Sequence, residues 1–70
     1  MSHNNSGEIR LVNKIAVHFG YLPAEQAAAA VAEHVRRFWD PRMQIRLMES
    51  VADETADLHP VASAAAALLR

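Results

Sequence analysis

The chain has no cysteine, only two glycines, and just four aromatic residues, Phe19, Tyr21, Phe38 and Trp39. Without cysteine there is neither a disulfide framework nor a thiolate metal site. Gly7 and Gly20 are too few and too far apart to build a phosphate-cradling loop. No apolar run is long enough to span a bilayer, and the alanines at 27–30 are flanked by charge. The polar opening Met1-Ser2-His3-Asn4-Asn5-Ser6 lacks the basic-then-apolar order of a signal peptide, so a soluble cytoplasmic protein is the expectation. Excess positive charge is missing too. The net charge is −1, whereas a nucleic-acid binder of this size is usually basic overall.

Large apolar side chains are scarce. Of 36 hydrophobic residues, 14 are Ala, which buries little surface for each residue ordered. A 70-residue chain is one small domain at most, and buries only about 60% of its unfolded surface. Small domains without disulfides or metals lean on idealised helix packing or on a partner. A partner is therefore the first functional expectation.

What is present is helical periodicity. Residues 1–7 read as a flexible N-terminus and residues 8–70 as a single helical domain. From Glu8, Ile9, Leu11, Val12, Ile15, Ala16 and Phe19 share one arc, with Arg10, Asn13 and Lys14 opposite. Gly20 is placed for a left-handed helix stop, and Pro23 for the first position of a second helix. In that helix Ala24, Ala27, Ala28, Val31, Val35, Phe38 and Trp39 form a face whose alanine-rich half suits close approach by another helix. Glu33 precedes Arg37 by four residues, the favourable order for an ion pair. Asp40 caps a third helix opened by Pro41, with Met43, Leu47, Met48, Val51 and Ala52 as its stripe. Pro60 opens a fourth, with Val61, Ala64, Ala65, Leu68 and Leu69. No segment alternates with period two. The fold predicted is all-α, a small bundle of three to four short helices.

Candidate chemistry is thin. The four histidines, at 3, 18, 34 and 59, include no pair at i, i+3 or i, i+4, so no metal site is expected. His34 reads as a packed histidine at the edge of the second helix. Ser50 and Ser63 lie in no nucleophile elbow, and Glu49, Asp53 and Asp57 read as a solvated face. No catalytic and no cofactor-binding residue is expected in a chain with so little room for a pocket.

The exception is the run from His34 to Met43, with the only Trp and three of seven basic residues around one Asp-Pro step. Charge is uneven around it: residues 33–46 carry +2 and residues 47–59 carry −4. The residue before Pro is pushed out of the α region, so two rings and several guanidinium groups are held at a sharp corner. Trp, Arg and Met are enriched in protein interfaces. The expected partner surface is Arg36, Arg37, Trp39, Asp40, Pro41, Arg42 and Arg46. Phe38, Met43, Leu47 and Val51 are expected inside, between the second and third helices.

Arg36-Arg37-Phe38-Trp39-Asp40-Pro41-Arg42-Met43 resembles the delta subunit of cytoplasmic, molybdenum-containing, NAD-dependent formate dehydrogenases. The aromatic-acid-Pro-Arg-Met core is the most specific part. Leu11-Val12-Asn13-Lys14-Ile15-Ala16, with Phe19 and Pro23, is similar to the family's N-terminal pattern. Leu58-His59-Pro60-Val61 is similar to its C-terminal one, so the likeness covers roughly residues 9–69. His18 stands where many members carry Phe, and Gln44 where a further Arg is common. The resemblance implies a non-catalytic accessory subunit that binds the larger alpha, beta and gamma subunits and supports their assembly or stability. It places molybdenum-pterin, iron–sulfur clusters, FMN and NAD in those partners, with none bound by this chain. Two alternatives are a transient cofactor-maturation chaperone and a stand-alone helical homodimer serving as a regulatory or interaction module.

Overall fold

The computed structural model describes residues 7–53 and 56–70, which form α1 (Gly7–His18), α2 (Ala24–Phe38), α3 (Pro41–Val51) and α4 (Pro60–Leu69). No strand occurs among the described residues, and the chain is all-α as its periodicity requires. None of these helices is long and apolar enough to cross a membrane. The flexible start predicted for residues 1–7 lies outside the described residues except for Gly7, which opens α1.

Each helix begins where backbone chemistry favours it. Asp40 is extended, and its Oδ1 accepts the N–H of Met43 at 2.9 Å, while Pro41 takes the first helical position of α3. His59 does the same for α4. Its Nδ1 accepts the N–H of Val61 at 3.1 Å, with Pro60 at the first position. Pro23 departs from expectation, being the N-cap of α2 with Ala24 as first helical residue, and it supplies no side-chain cap. Gly20 also departs. No glycine among the described residues has positive φ, so it is not a left-handed stop. It makes a tight turn, donating its N–H to the carbonyl of Val17 at 3.0 Å, and an added Cβ would sit 3.1 Å from that oxygen.

The core combines small and branched side chains. Ile9, Val12 and Ala16 of α1, Val31, Ala32 and Val35 of α2, Leu47 of α3, and Ala62 and Ala65 of α4 are buried around Trp39. The most extensive helix contact is between α2 and α4, where Ala27, Ala28 and Ala32 oppose a face of Ala62, Ala65 and Ala66. Side chains this small let two helices approach near the lower end of the usual axial distance, about 8 Å. The alanine-rich stretch is thus a seam, as the sequence predicts. Leu47 is the one fully buried side chain of α3, with Met43 and Val51 partly covered on either side at four-residue spacing.

Polar side chains fasten the ends. Asn13, expected on the outer side of α1, is half-buried and acts as a clamp. Its Nδ2 donates to the carbonyl of Asp57 at 2.7 Å, and its Oδ1 accepts the N–H of His59 at 2.9 Å. One side chain therefore holds the segment entering α4 against α1. No buried side-chain nitrogen or oxygen among the described residues lacks a hydrogen-bond partner.

Candidate partner-docking site

The corner between α2 and α3 is built from both sides. Trp39 and Asp40 are extended, which carries the chain out of one helix and into the next. The N–H of Trp39 still donates to the carbonyl of Val35 at 3.0 Å, closing the last turn of α2. From α3, Gln44 Nε2 reaches back to the carbonyls of Trp39 at 2.9 Å and Val35 at 3.4 Å. Asp40 thus caps the start of α3 while Gln44 caps the end of α2. Gln44 is thus a structural donor, adding a second bond to the Val35 carbonyl and supplying one to the carbonyl of Trp39 just past the helix end.

The division of the aromatics expected from the sequence is reversed. Trp39 is 8% exposed and lies in the core, whereas Phe38 is 71% exposed. Two causes act together. Ala32 is fully buried, so the inward arc of α2 is centred near Val35 rather than Val31. At about 100° per residue, Phe38 then falls roughly 60° from the centre and Trp39 roughly 40°, on opposite sides. In addition, α2 ends at Phe38, and the extended backbone of Trp39 directs its indole under α3 rather than along the helix surface. The α2–α3 contact expected of Phe38, Met43, Leu47 and Val51 is not what forms: α3 packs chiefly on α1, and Met43, Leu47 and Val51 join Trp39 in the shared core while Phe38 stays outside it.

The arginines also separate. Arg36 Nη2 donates to the carbonyl of Leu68 at 2.7 Å, so it serves the last turn of α4. Arg46 Nε lies 3.3 Å from Glu8 Oε2, bridging α3 to α1. Asp40 and Pro41 are exposed but act as cap and first residue of α3. This leaves Arg37 and Arg42 of the predicted basic residues facing outward without an interhelical duty. Arg37 pairs loosely with Glu33 at 3.8 Å, as the i, i+4 spacing predicts, and its guanidinium carbon lies 6.0 Å from the centre of the Phe38 ring. Arg42 is exposed and has no ion-pair partner among the described residues. His34 packs its ring 4.9 Å from that of Phe38.

The corner's cluster is therefore half-buried His34 with exposed Arg37 and Phe38, and Arg42 across the Asp-Pro step. The exchange of Phe38 and Trp39 is where sequence reasoning placed side chains wrongly. The signal that would have found it is Ala32, left off the inward face because alanine suits either side of a helix.

The site has little to offer chemistry. Among the described residues no three His, Asp or Glu side chains converge as a metal would require. No thiolate is available for an iron–sulfur cluster. The larger depressions are open rather than enclosed: one lies along α1, one along α3 and one between α1 and α2. What the corner presents is an exposed Phe ring beside Arg37 on a capped turn, and Phe and Arg are residue types enriched in protein interfaces.

No curated protein and no solved structure matches the chain. A family model does, over residues 9–66, and its description is NADH-dependent formate dehydrogenase delta subunit FdsD. The match includes Asn13 and His59, whose contact clamps α1 to the entry of α4, and the whole Asp40-Pro41 corner. The chain belongs to the delta-subunit family of NADH-dependent formate dehydrogenases.

Proposed function

We propose that this chain is a non-catalytic accessory subunit that docks through its α2–α3 corner onto the larger subunits of a formate dehydrogenase and supports their assembly or stability. Family membership supplies the complex. The observation that carries the docking reading is Phe38, a large ring 71% exposed at the corner while its neighbour Trp39 is core. A ring held on a capped turn loses little further freedom on binding, and burying it against a partner removes about 25 cal/mol per Å² of apolar surface from water. Arg37 and Arg42 flank it as charge-bearing specificity elements. The molybdenum, iron–sulfur, flavin and nicotinamide chemistry belongs, on this reading, to the alpha, beta and gamma subunits, and the complex is cytoplasmic.

The test is co-expression of the tagged chain with those subunits. Wild type is expected to co-purify with them in fixed ratio, and Phe38→Ala to be lost from the complex while keeping its helical signal. Retention of Phe38→Ala at the wild-type ratio would remove the corner from the interface. Substoichiometric recovery, confined to enzyme lacking its cofactors, would identify a transient maturation factor instead.

A further inference from the structure

The outer face where α1 meets α2 holds a groove of about 250 Å³, lined by Leu11, Lys14, Ile15, His18, Phe19 and His34. It runs into the corner, because the ring of His34 at its edge stacks on Phe38. Leu11 is 45% exposed, although α1 has a well-formed inward face of Ile9, Val12 and Ala16 without it. His18 packs edge-on against Phe19 at 5.1 Å, so the floor is aromatic. A second depression beside Leu11 is lined by Gly7, Arg10 and Lys14. The charged groups that line the two depressions are Arg10 and Lys14, both on α1, and no carboxylate lines either of them.

We infer that this α1–α2 groove, which adjoins Phe38 through His34, seats an amphipathic helix of a larger formate dehydrogenase subunit that carries acidic residues along one edge of its apolar stripe. The inference rests on the docking reading above and extends it to a second surface with a stated partner chemistry. A cleft between two helices is the shape that a third helix fills, its apolar residues meeting Leu11, Phe19 and Phe38. The cations on the α1 rim select a segment with carboxylates on the flank that faces α1. A second copy of this chain fits less well, because the groove's own lining holds no carboxylate for the Lys14 of another copy to pair with.

Lys14 is the chain's single lysine, which makes the inference directly testable. Treating the purified complex with a carbodiimide, which joins an amine to a carboxylate without a spacer, is expected to link Lys14 to Asp or Glu of a helical segment in a larger subunit. Lys14→Arg keeps the charge, and is expected to keep the complex while abolishing that link. Leu11→Glu, at an exposed position that leaves the fold intact, is expected to weaken binding about tenfold or more by setting a carboxylate in the apolar floor. Lys14→Glu is expected to weaken it by about threefold to tenfold at low salt and less at high salt.

A link from Lys14 to non-helical segments, or no loss of affinity in Leu11→Glu, overturns the groove proposal. Loss in Phe38→Ala but not in Leu11→Glu overturns the groove alone and leaves the corner standing. If neither variant loses binding, the docking reading itself fails. Two further outcomes also overturn the inference: Leu11→Glu dissociating a homodimer without affecting the complex, or wild type binding anionic phospholipid vesicles through Leu11 with no role for it in the complex.

Discussion

Truncating either aromatic residue of the corner to alanine should give opposite phenotypes in stability and in binding. Trp39 is the largest side chain in the core and packs among Val35, Leu47 and Met43. Trp39→Ala removes nearly all of that surface and leaves a cavity that helices held by caps and clamps cannot fully close. Such truncations cost about 3–5 kcal/mol. A 70-residue domain has roughly 4–10 kcal/mol of stability in total, so the variant should be mostly unfolded or close to it at 37 °C. Phe38 buries less than a third of its surface, and what it loses on truncation is its contact with His34 and Arg37. An exposed ring pair of this kind is worth about 0.5–1 kcal/mol, at the lower end for aromatic contacts. Thermal unfolding of the isolated chain, followed by far-ultraviolet circular dichroism, measures both. Phe38→Ala should lower the thermal midpoint by no more than about 8 °C, since about 1 kcal/mol shifts a domain of this size by 4–8 °C. Trp39→Ala should lower it by at least twice as much or abolish the cooperative transition. Equal shifts for the two variants, or a larger one for Phe38→Ala, would refute the assignment of Trp39 to the core.

Asp40→Ala removes the acceptor for the Met43 N–H and should cost about 1 kcal/mol, whereas Asp40→Asn should retain most of it; a melting temperature unchanged by Asp40→Ala would exclude the cap. Asn13→Ala breaks two hydrogen bonds at once and leaves the His59 N–H without its acceptor, for a loss of about 1–3 kcal/mol. Amide hydrogen exchange should show the His59 N–H as the site of fastest gain in that variant, and wild-type protection there would contradict the clamp. Arg46 and Glu8 form a pair whose arginine is 59% exposed, so a double-mutant cycle should give a coupling of about 0.2–1 kcal/mol that shrinks in salt. A coupling indifferent to ionic strength would mean that the contact is packing and not charge.

Much of the fold was legible because it rests on local chemistry. Proline cannot sit inside a helix but suits its start, and Asp40-Pro41 and His59-Pro60 place the beginnings of α3 and α4 where the sequence predicts them. The inward face of α1 follows from 3.6-residue spacing, and the alanines of α2 and α4 announce a close helix pair. The aromatic-arginine corner was legible in position and composition but not in the orientation of its side chains. Helical periodicity gives the direction of a side chain relative to its neighbours, not the direction from which the next helix approaches. With Ala32 uncounted the arc of α2 centres on Val31, about 40° round the helix from Val35, enough to exchange Phe38 and Trp39. Arg36 and Arg46 look alike as surface charges, and only the nearness of Leu68 and Glu8 gives them structural duties.

The sequence by itself determined that this is a cysteine-free, all-α chain of three to four short helices with one aromatic-arginine corner, and that its motifs resemble those of the formate dehydrogenase delta subunit. Caps, prolines and hydrophobic period act within a few residues, so they can be read along the chain. The tertiary structure alone decided that Trp39 is a core residue and Phe38 an exposed one, that Asn13 clamps a segment more than forty residues away, and that Gln44 closes the helix before its own. Those outcomes depend on which helices meet and at what angle. That is set by packing the whole set of apolar faces together, and no local rule carries it.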